Sequence, residues 1–191
     1  MDADHALLSA LRVRATNPET RVDALDKLSA PALYGPAMPE VITATEADLG
    51  VSLHPLLRRL YGEVANGGFG PGYGLLSLGS PDGLHGDRSL SSEVRDGGWP
   101  AGLLPLWNWG CAIWSCLDAN SLDGTIVTHD DIEGPTVTDF TLRSWLRAWV
   151  DGVNLWEEIY ESDGPEIVTI NPFTRKPTVM KAPGRAKGKK N

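Results

Sequence analysis

The sequence offers little that could anchor the chain in a membrane or cross-link it. No apolar run approaches the roughly 18 residues of a membrane span, and the amino terminus MDADHALLSALRVRA lacks the ordered basic, apolar and cleavage regions of a signal peptide. Only two cysteines occur, both in WGCAIWSC. If this segment is one strand, Cys111 and Cys116 point to opposite faces as two buried, unbonded thiols, which suits a reducing compartment. We therefore expect a cytoplasmic protein.

Motifs for enzymes and metal sites are also missing. The sequence has four histidines, at His5, His54, His85 and His129. They form no His-x-x-x-His pair, and no Cys-x-x-Cys accompanies them, so we expect no metal. There is no Gly-x-Ser-x-Gly elbow, and an apolar strand does not give Cys111 the polar, partly open setting of a reactive thiolate. A hydrolase using Cys111, or the Asp130 and Asp131 carboxylates, is a minor alternative; we expect no enzymatic activity and no cofactor.

Charge is distributed unevenly along the chain. No acidic residue follows Glu166, whereas seven basic residues do: Arg175, Lys176, Lys181, Arg185, Lys187, Lys189 and Lys190. Without these seven, the formal net charge falls from −8 to −15. A body this acidic repels nucleic acid and membrane surfaces and steers a basic partner toward itself. Solubility alone is the alternative explanation for the charge.

The first half of the chain is predicted to be mainly helical, within the single domain that 191 residues imply. Residues 1–39 form a predicted helical extension with two apolar patterns, Ala6/Leu7/Ala10/Leu11 and Val22/Leu25/Leu28. TATEADLG then predicts a short helix that Thr43 caps and Gly50 stops. LHPLLRRLYGEVANGG predicts a longer helix that begins near Pro55.

The second half is predicted to supply the sheet and a closing helix. YGLLSLG indicates a buried strand, residues 79–99 a surface loop, and LLPLWNWGCAIWSCLD the centre of the sheet. Asp123 and Gly124 then turn the chain into TIVTH as an antiparallel hairpin. TDFTLRSWLRAWVDGVNLWEEIYES predicts one long helix, capped by Thr138 or Thr141 and weakened at Gly152. PEIVTIN is compatible with an edge strand, and the basic, proline-containing residues 172–191 are predicted to be disordered, which leaves an α+β domain over residues 40–171.

The glycine-rich stretch ANGGFGPGYG invites comparison with a phosphate-binding loop. Such a loop runs from a strand through glycines into a helix, whose free amide groups hold the phosphate. Here the glycines follow a helix, and its exposed carbonyl groups repel anions. We therefore predict that Asn66 and Gly67 end the helix in the left-handed conformation, and that Gly68 and Gly70 carry the chain through a tight turn.

The same region carries a family resemblance. EADLGVSLHPLLRRLYGEVANGGFGPGYGLLSL resembles the SUKH superfamily, the Smi/Knr type of domain: a short helix with Leu-Gly, a Leu-x-Pro opening the next helix, Asn-Gly-Gly, and an apolar strand. WPAGLLPLWNWGCAIWSCLD and FTLRSWLRAWVDG are similar to that family's central strands and closing helix, so the resemblance covers about residues 40–160. His54, where a Leu-Pro pair is commoner, the amino-terminal extension and the basic tail depart from the pattern.

The resemblance implies an α+β domain with helices packed on a mixed or mainly antiparallel sheet, without enzymatic activity. It also implies a role in protein binding. Bacterial members look mostly like immunity proteins that bind and neutralise a toxin, often a nuclease, whereas fungal relatives are regulatory interaction proteins. An immunity protein is the leading hypothesis, and a regulatory or scaffolding domain without a toxin partner is the alternative.

Candidate partner-binding residues are the loop carboxylates and one tryptophan outside any periodic pattern. They are Trp99, Asp82, Asp87, Glu93, Asp96, Asp130, Asp131 and Glu133. We expect these residues of a monomeric protein to face a basic toxin domain, because opposite charges steer association. Nucleic acid and membranes are not expected partners.

Overall fold

Helices and strands occupy separate blocks of the chain in the computed structural model, which describes residues 3–23, 32–79, 88–131, 133–160, 166–170, 177–181 and 186–187. The helices are α1 (Ala3–Ala15), α2 (Pro39–Leu49), α3 (Pro55–Arg59, continued by a π-helical turn over Leu60–Val64), α4 (Leu90–Asp96), α5 (Leu142–Val150) and α6 (Leu155–Ile159). The strands are β1 (Leu103–Gly110), β2 (Ile113–Asp118), β3 (Thr125–Asp130), β4 (Gly134–Thr141), β5 (Glu166–Ile170) and β6 (Pro177–Lys181). None of the described helices is long and apolar enough to cross a membrane.

The main sheet is a four-stranded meander in the order β1-β2-β3-β4, with each strand antiparallel to the next. This arrangement confirms the predicted α+β class and the mainly antiparallel sheet. The hairpin predicted at Asp123 and Gly124 joins β2 to β3. YGLLSLG forms no regular strand but pairs at single positions, Leu75 with Trp107 and Ser77 with Ser89.

WGCAIWSC is two strands joined by a turn, so the prediction of one strand was wrong. Cys111 and Ala112 form the turn with φ values of 50° and 63°, and two positive φ values match the twist of the flanking strands in a two-residue hairpin. Side-chain alternation therefore restarts at Ile113. As a result Cys111 is exposed, contrary to the expectation of two buried thiols, whereas Cys116 is buried and neither forms a disulfide.

The main core lies between one face of this sheet and the helices. Ile113 and Leu117 of β2 face Trp145 and Trp149 of α5, all at most 3% exposed. The hydroxyl of Thr141 accepts a hydrogen bond from the backbone N–H of Ser144, which confirms Thr141 as the cap of α5.

The single long helix predicted from residue 138 onward is broken in two. It ends at Val150, because Gly152 has a φ of 80°, and the chain restarts as α6 at Leu155. The predicted cap of α2 was also wrong, since Thr43 lies inside a helix that begins at Pro39.

The amino-terminal helix belongs to the same core. Leu7, Leu8 and Leu11 of α1 are at most 2% exposed and pack in the main cluster. Asp4 pairs with Arg143 of α5 and lies 3.9 Å from Arg59 of α3. The second predicted apolar pattern, from Val22 to Leu28, falls largely outside the described residues.

The carboxyl-terminal segment contains regular structure. The prediction that residues 172–191 are disordered is wrong for Pro177–Lys181, which form β6 and pair with β5 in a separate two-stranded sheet. Ala186 pairs with Tyr160 in an antiparallel bridge. The predicted boundary after residue 171 therefore falls between two paired strands, and β5 is not an edge strand of the main sheet.

Candidate protein-binding surface

The glycine stretch is folded against its own chain. The preceding helix ends in the π-helical turn at Val64, Ala65 is extended, and Gly67 and Gly68 have φ values of 90° and 80°. A Cβ on Gly67 would lie 2.7 Å from the backbone nitrogen of Ser77 and 2.8 Å from the carbonyl oxygen of Leu75. Only glycine combines this φ with so close a backbone approach.

The amide groups of this stretch are used inside the protein. Gly68 N–H donates to the Leu75 carbonyl at 2.9 Å and Gly70 N–H to the Arg21 carbonyl at 2.7 Å. A Cβ on Gly70 would also lie 2.6 Å from Trp107 Nε1. These buried donors are not available to a phosphate group, which supports a turn rather than a nucleotide site.

Asn66 acts through its side chain, because its backbone is not in the left-handed conformation. The carboxamide oxygen accepts a hydrogen bond from Leu78 N–H at 2.9 Å, and Nδ2 donates to the Gly79 carbonyl at 3.3 Å. Asn66 therefore fastens the end of the helix to the segment that follows the glycines.

The second face of the main sheet carries a smaller apolar cluster. Its buried members are Leu76, Leu103, Trp114, Cys116 and Val127. Trp99 packs on them, with its ring centre 5.6 Å from that of Trp114 in an edge-to-face arrangement and 4.8 Å from that of His129. Trp99 is thus a half-buried cover of this cluster, and only part of it is available to a partner.

Glu93 is buried, although the sequence analysis expected it in an exposed loop that faces a partner. The predicted surface loop contains α4, and Glu93 on this helix is only 3% exposed. Its carboxylate accepts a hydrogen bond from Trp99 Nε1 at 3.3 Å and pairs with Arg88 at 2.7 Å. A buried carboxylate needs such partners, so Glu93 holds Trp99 in place.

The connection between β3 and β4 brings together three of the predicted carboxylates, and we call Asp130, Asp131 and Glu133 the acidic turn. Asp130 Oδ1 accepts a hydrogen bond from the backbone N–H of Glu133 at 3.1 Å. Asp131 and Glu133 are exposed. Asp131 Oδ1 also lies 3.9 Å from Nδ1 of His129.

Beside the acidic turn, β4 presents apolar side chains that the sequence analysis missed. His129 and Val127 of β3 are paired with Pro135 and Val137 of β4, and directly paired residues share a face of the sheet. Pro135 is exposed and Val137 is 47% exposed. Trp99, His129, Pro135 and Val137 therefore form a continuous strip next to the acidic turn. We call the strip and the turn together the docking surface.

The docking surface lies in a part of the sequence without positive charge. No Lys or Arg occurs from Asp96 to Leu142, a stretch that contains the whole main sheet. The same stretch has seven carboxylates: Asp96, Asp118, Asp123, Asp130, Asp131, Glu133 and Asp139. The absence of Lys and Arg from this stretch is therefore a sequence signal that could have identified the surface.

The remaining predicted residues lie elsewhere. Asp96 is exposed at the end of α4, 3.3 Å from Arg95. Asp82 and Asp87 lie outside the described residues. Within the part of the chain that the structure describes, no group of three or more His, Cys, Asp or Glu side chains is placed to hold a metal ion. Burial raises the pKa of the Cys116 thiol, which keeps this cysteine protonated.

These features define a class: a small α+β domain in which helices pack on one face of an antiparallel meander, apolar side chains are exposed on the other face, and acidic side chains lie in the adjoining β3–β4 turn. A model of the SMI1/KNR4 family (SUKH-1) matches residues 36–147. Because this match covers more than half of the sequence, the chain belongs to the SMI1/KNR4 family. Proteins of this family are generally non-enzymatic immunity or regulatory proteins. A search of curated proteins found no significant match.

Proposed function

We propose that this chain is an immunity protein that binds and neutralises a toxin domain, without chemistry of its own, by placing the docking surface against a basic surface of the toxin. The observation that carries the proposal is the acidic turn beside an exposed apolar strip, in a sheet that has no Lys or Arg. Apolar contact supplies binding energy at the centre of an interface, and a charged rim supplies steering and specificity.

A nuclease toxin fits this surface for a physical reason. An enzyme that binds nucleic acid presents Lys and Arg to the phosphate backbone. A protein that covers such a site must therefore offer carboxylates in place of phosphates. The acidic turn offers three carboxylates within four residues, and we propose that it acts as a monomer in the cytoplasm, where it protects the cell that makes it.

The test is coexpression with the product of the gene directly upstream. We expect that product to be toxic alone, harmless together with this chain, and copurified with it. Protection should be lost when Asp130→Asn, Asp131→Asn and Glu133→Gln are combined. A control that removes the same charge elsewhere, Glu40→Gln with Asp48→Asn and Asp151→Asn, should still protect, since these three exposed residues belong to α2 and the end of α5 and not to the docking surface.

Two results would contradict the proposal. If the upstream product is harmless, the regulatory or scaffolding alternative replaces the immunity role. If the charge-matched control fails as badly as the acidic-turn variant, overall charge and not the docking surface is responsible for protection.

A further inference from the structure

The side chain of Trp99 is held by a hydrogen bond from the side of α4. Its indole Nε1 donates to Glu93 Oε1 at 3.3 Å. The guanidinium of Arg88 binds both oxygens of the same carboxylate, with Nη2 3.2 Å from Oε1 and Nε 2.7 Å from Oε2. Two contacts of this kind fix the plane of a carboxylate. The acceptor of the indole N–H therefore has a defined position and direction.

Gly97 leaves the space that this position of the indole requires. A Cβ on Gly97 would lie 2.3 Å from Trp99 Nε1 and 2.6 Å from the Glu93 carbonyl oxygen. The φ of Gly97 is −88°, which other residues adopt readily, so close approach is the reason that glycine fits here. On the side of the sheet, the ring contacts Trp114 and His129. The indole is thus confined by both the helix and the sheet.

Stability alone does not explain why Glu93 is buried. Its side chain is 3% exposed, whereas that of Arg88 is 68% exposed. Removing a carboxylate from water costs free energy, and replacing a buried ion pair by apolar side chains of similar volume is often neutral or stabilising. The carboxylate provides one thing that an apolar side chain cannot, which is an acceptor for the Trp99 N–H. It therefore sets the orientation of the ring.

This hydrogen bond also determines what Trp99 can offer to a partner. An indole has one polar group, its N–H, which donates and cannot accept. Because that group is bound to the buried Glu93, the rest of the ring presents only carbon. The acidic turn begins beyond the neighbouring His129, whose Nδ1 lies 3.9 Å from Asp131 Oδ1. The docking surface therefore has an apolar position at Trp99 beside an acidic one.

We infer that Glu93 and Gly97 are positioning residues of the docking surface. They fix Trp99 before binding as an apolar anchor, and the partner places an apolar side chain against it and basic side chains on the acidic turn. The inference rests on the proposed function, because it specifies the chemistry of the partner at the same surface. A side chain that is already ordered loses little freedom when the partner binds, so its contact contributes more to affinity.

The test uses the full-length protein and two peptides of equal charge, and it needs no toxin. Each peptide has six lysines around a central residue, which is leucine in one and asparagine in the other. The ratio of their affinities isolates the apolar contact from the effect of charge. The indole N–H signal of Trp99 in the ¹⁵N-labelled protein, identified by its loss in Trp99→Phe, reports the position of the ring.

Three variants change the support of the ring, and a fourth is the control. Glu93→Met removes the acceptor, Glu93→Gln keeps an oxygen acceptor, and Gly97→Ala pushes the indole away by a separate route. Glu40→Met makes the same substitution at an exposed position of α2. If Glu93→Met does not fold, Gly97→Ala provides the same comparison.

The wild type should bind the leucine peptide at least about 3-fold more tightly than the asparagine peptide at low salt, because apolar burial is favourable. Glu93→Met and Gly97→Ala should move the indole signal of the free protein and reduce this preference to below about 2-fold. Glu93→Gln and Glu40→Met should preserve both. Urea unfolding should show that Glu93→Met is about as stable as the wild type, which a purely structural role does not predict.

Three results would overturn the inference. An unchanged indole signal in Glu93→Met would show that the carboxylate does not position Trp99. A moved signal with an unchanged peptide preference would show that the position of Trp99 does not matter for binding. A wild type that binds both peptides equally, or neither, would exclude the apolar anchor, whereas the immunity role would still be decided separately by coexpression.

Discussion

The guanidinium carbon of Arg14 lies 4.4 Å from the centre of the Trp149 ring. Arg14 also donates a hydrogen bond from Nη1 to the Trp149 carbonyl. Both residues lie outside residues 36–147, the segment that defines the family. The contact joins α1 to α5, so the folded unit of this chain is larger than the family segment.

Truncating the buried face of α1 is therefore expected to destabilise the whole domain. Leu11 is fully buried, and Leu11→Ala should lower the free energy of unfolding by about 2–5 kcal/mol, because it leaves a cavity in the core. Val13, two residues away, is 73% exposed, and Val13→Ala should change stability by less than about 0.5 kcal/mol. Urea unfolding measures both. A small loss for Leu11→Ala would mean that α1 is a detachable extension.

The glycine stretch should be intolerant of any side chain at Gly67. Gly98 has a φ of 67° with nothing near its Cβ position, whereas a Cβ on Gly67 would meet the backbone of Leu75 and Ser77. Gly98→Ala should cost about 1 kcal/mol, from the left-handed conformation alone. Gly67→Ala should cost about 3 kcal/mol or more, because backbone atoms must also move. Equal losses in thermal unfolding would show that conformation, not close approach, selects glycine at this position.

Alkaline pH should unfold the protein through its buried phenols. Burial raises the pKa of Tyr61, so the folded state favours the neutral phenol. The preference of the folded state for the neutral phenol contributes stability that is fully present below the ordinary phenol pKa near 10. This contribution is lost as the pH rises further. Tyr61→Phe should lower stability at neutral pH by about 1–2 kcal/mol, because the Leu76 carbonyl loses its donor at 2.8 Å.

Above pH of about 10, the same variant should lose stability less steeply than the wild type. The slope should not vanish, because Tyr160 also has a raised pKa. Thermal unfolding across a pH series, together with phenolate absorbance, provides the measurement. Ionisation of Tyr61 before unfolding would contradict its burial.

The two thiols should react at very different rates. Cys111 is exposed in its turn, whereas Cys116 is fully buried. One thiol per folded chain should react promptly with a disulfide reagent, and the second only on unfolding. Cys111→Ser should abolish the prompt reaction, and Cys116→Ser should preserve it. Prompt reaction of both thiols would show that the smaller apolar cluster opens readily.

Association with a basic partner should be fast and sensitive to salt. Neutralising Asp130, Asp131 and Glu133 together should lower the on-rate several-fold, because exposed charges act mainly through steering. The thermal unfolding midpoint should barely change, and the Asn oxygen at position 130 can still accept the Glu133 N–H. Surface plasmon resonance at two salt concentrations distinguishes electrostatic steering from a role of these charges in solubility alone. If the charges serve only solubility, neither the salt concentration nor the triple substitution should affect binding.

The elements that could be predicted from the sequence are those specified by neighbouring residues. The helix begun at Pro55 and the helix capped by Thr141 each show an apolar face next to a local start signal. The turn at Cys111 and Ala112 could not be predicted. Neither cysteine nor alanine favours a positive φ, and the pairing of β1 with β2 imposes it on both residues. Polar helix α4 was missed because LSSEVRD lacks apolar periodicity, although its Ser89–Ser92 capping pair was a usable signal.

The candidate surface was predicted only in part. The net charge of a segment depends only on which residues it contains. The acidic character of the β3–β4 connection could therefore be inferred from the sequence without knowledge of the fold. Which carboxylate is buried depends on contacts between distant segments, and Glu93 is removed from the surface by Arg88 and the Trp99 indole. The exposed strip of Pro135 and Val137 required the strand register.

The sheet without Lys or Arg has a further consequence for proteolysis. Trypsin cleaves after basic residues, and between Arg95 and Arg143 it finds none. All four strands of the main sheet and both cysteines therefore leave a digest as one peptide, Asp96 to Arg143. A trypsin-like protease can nick this protein in its helices and at its carboxyl terminus, but it cannot cut the sheet, even when the chain is unfolded.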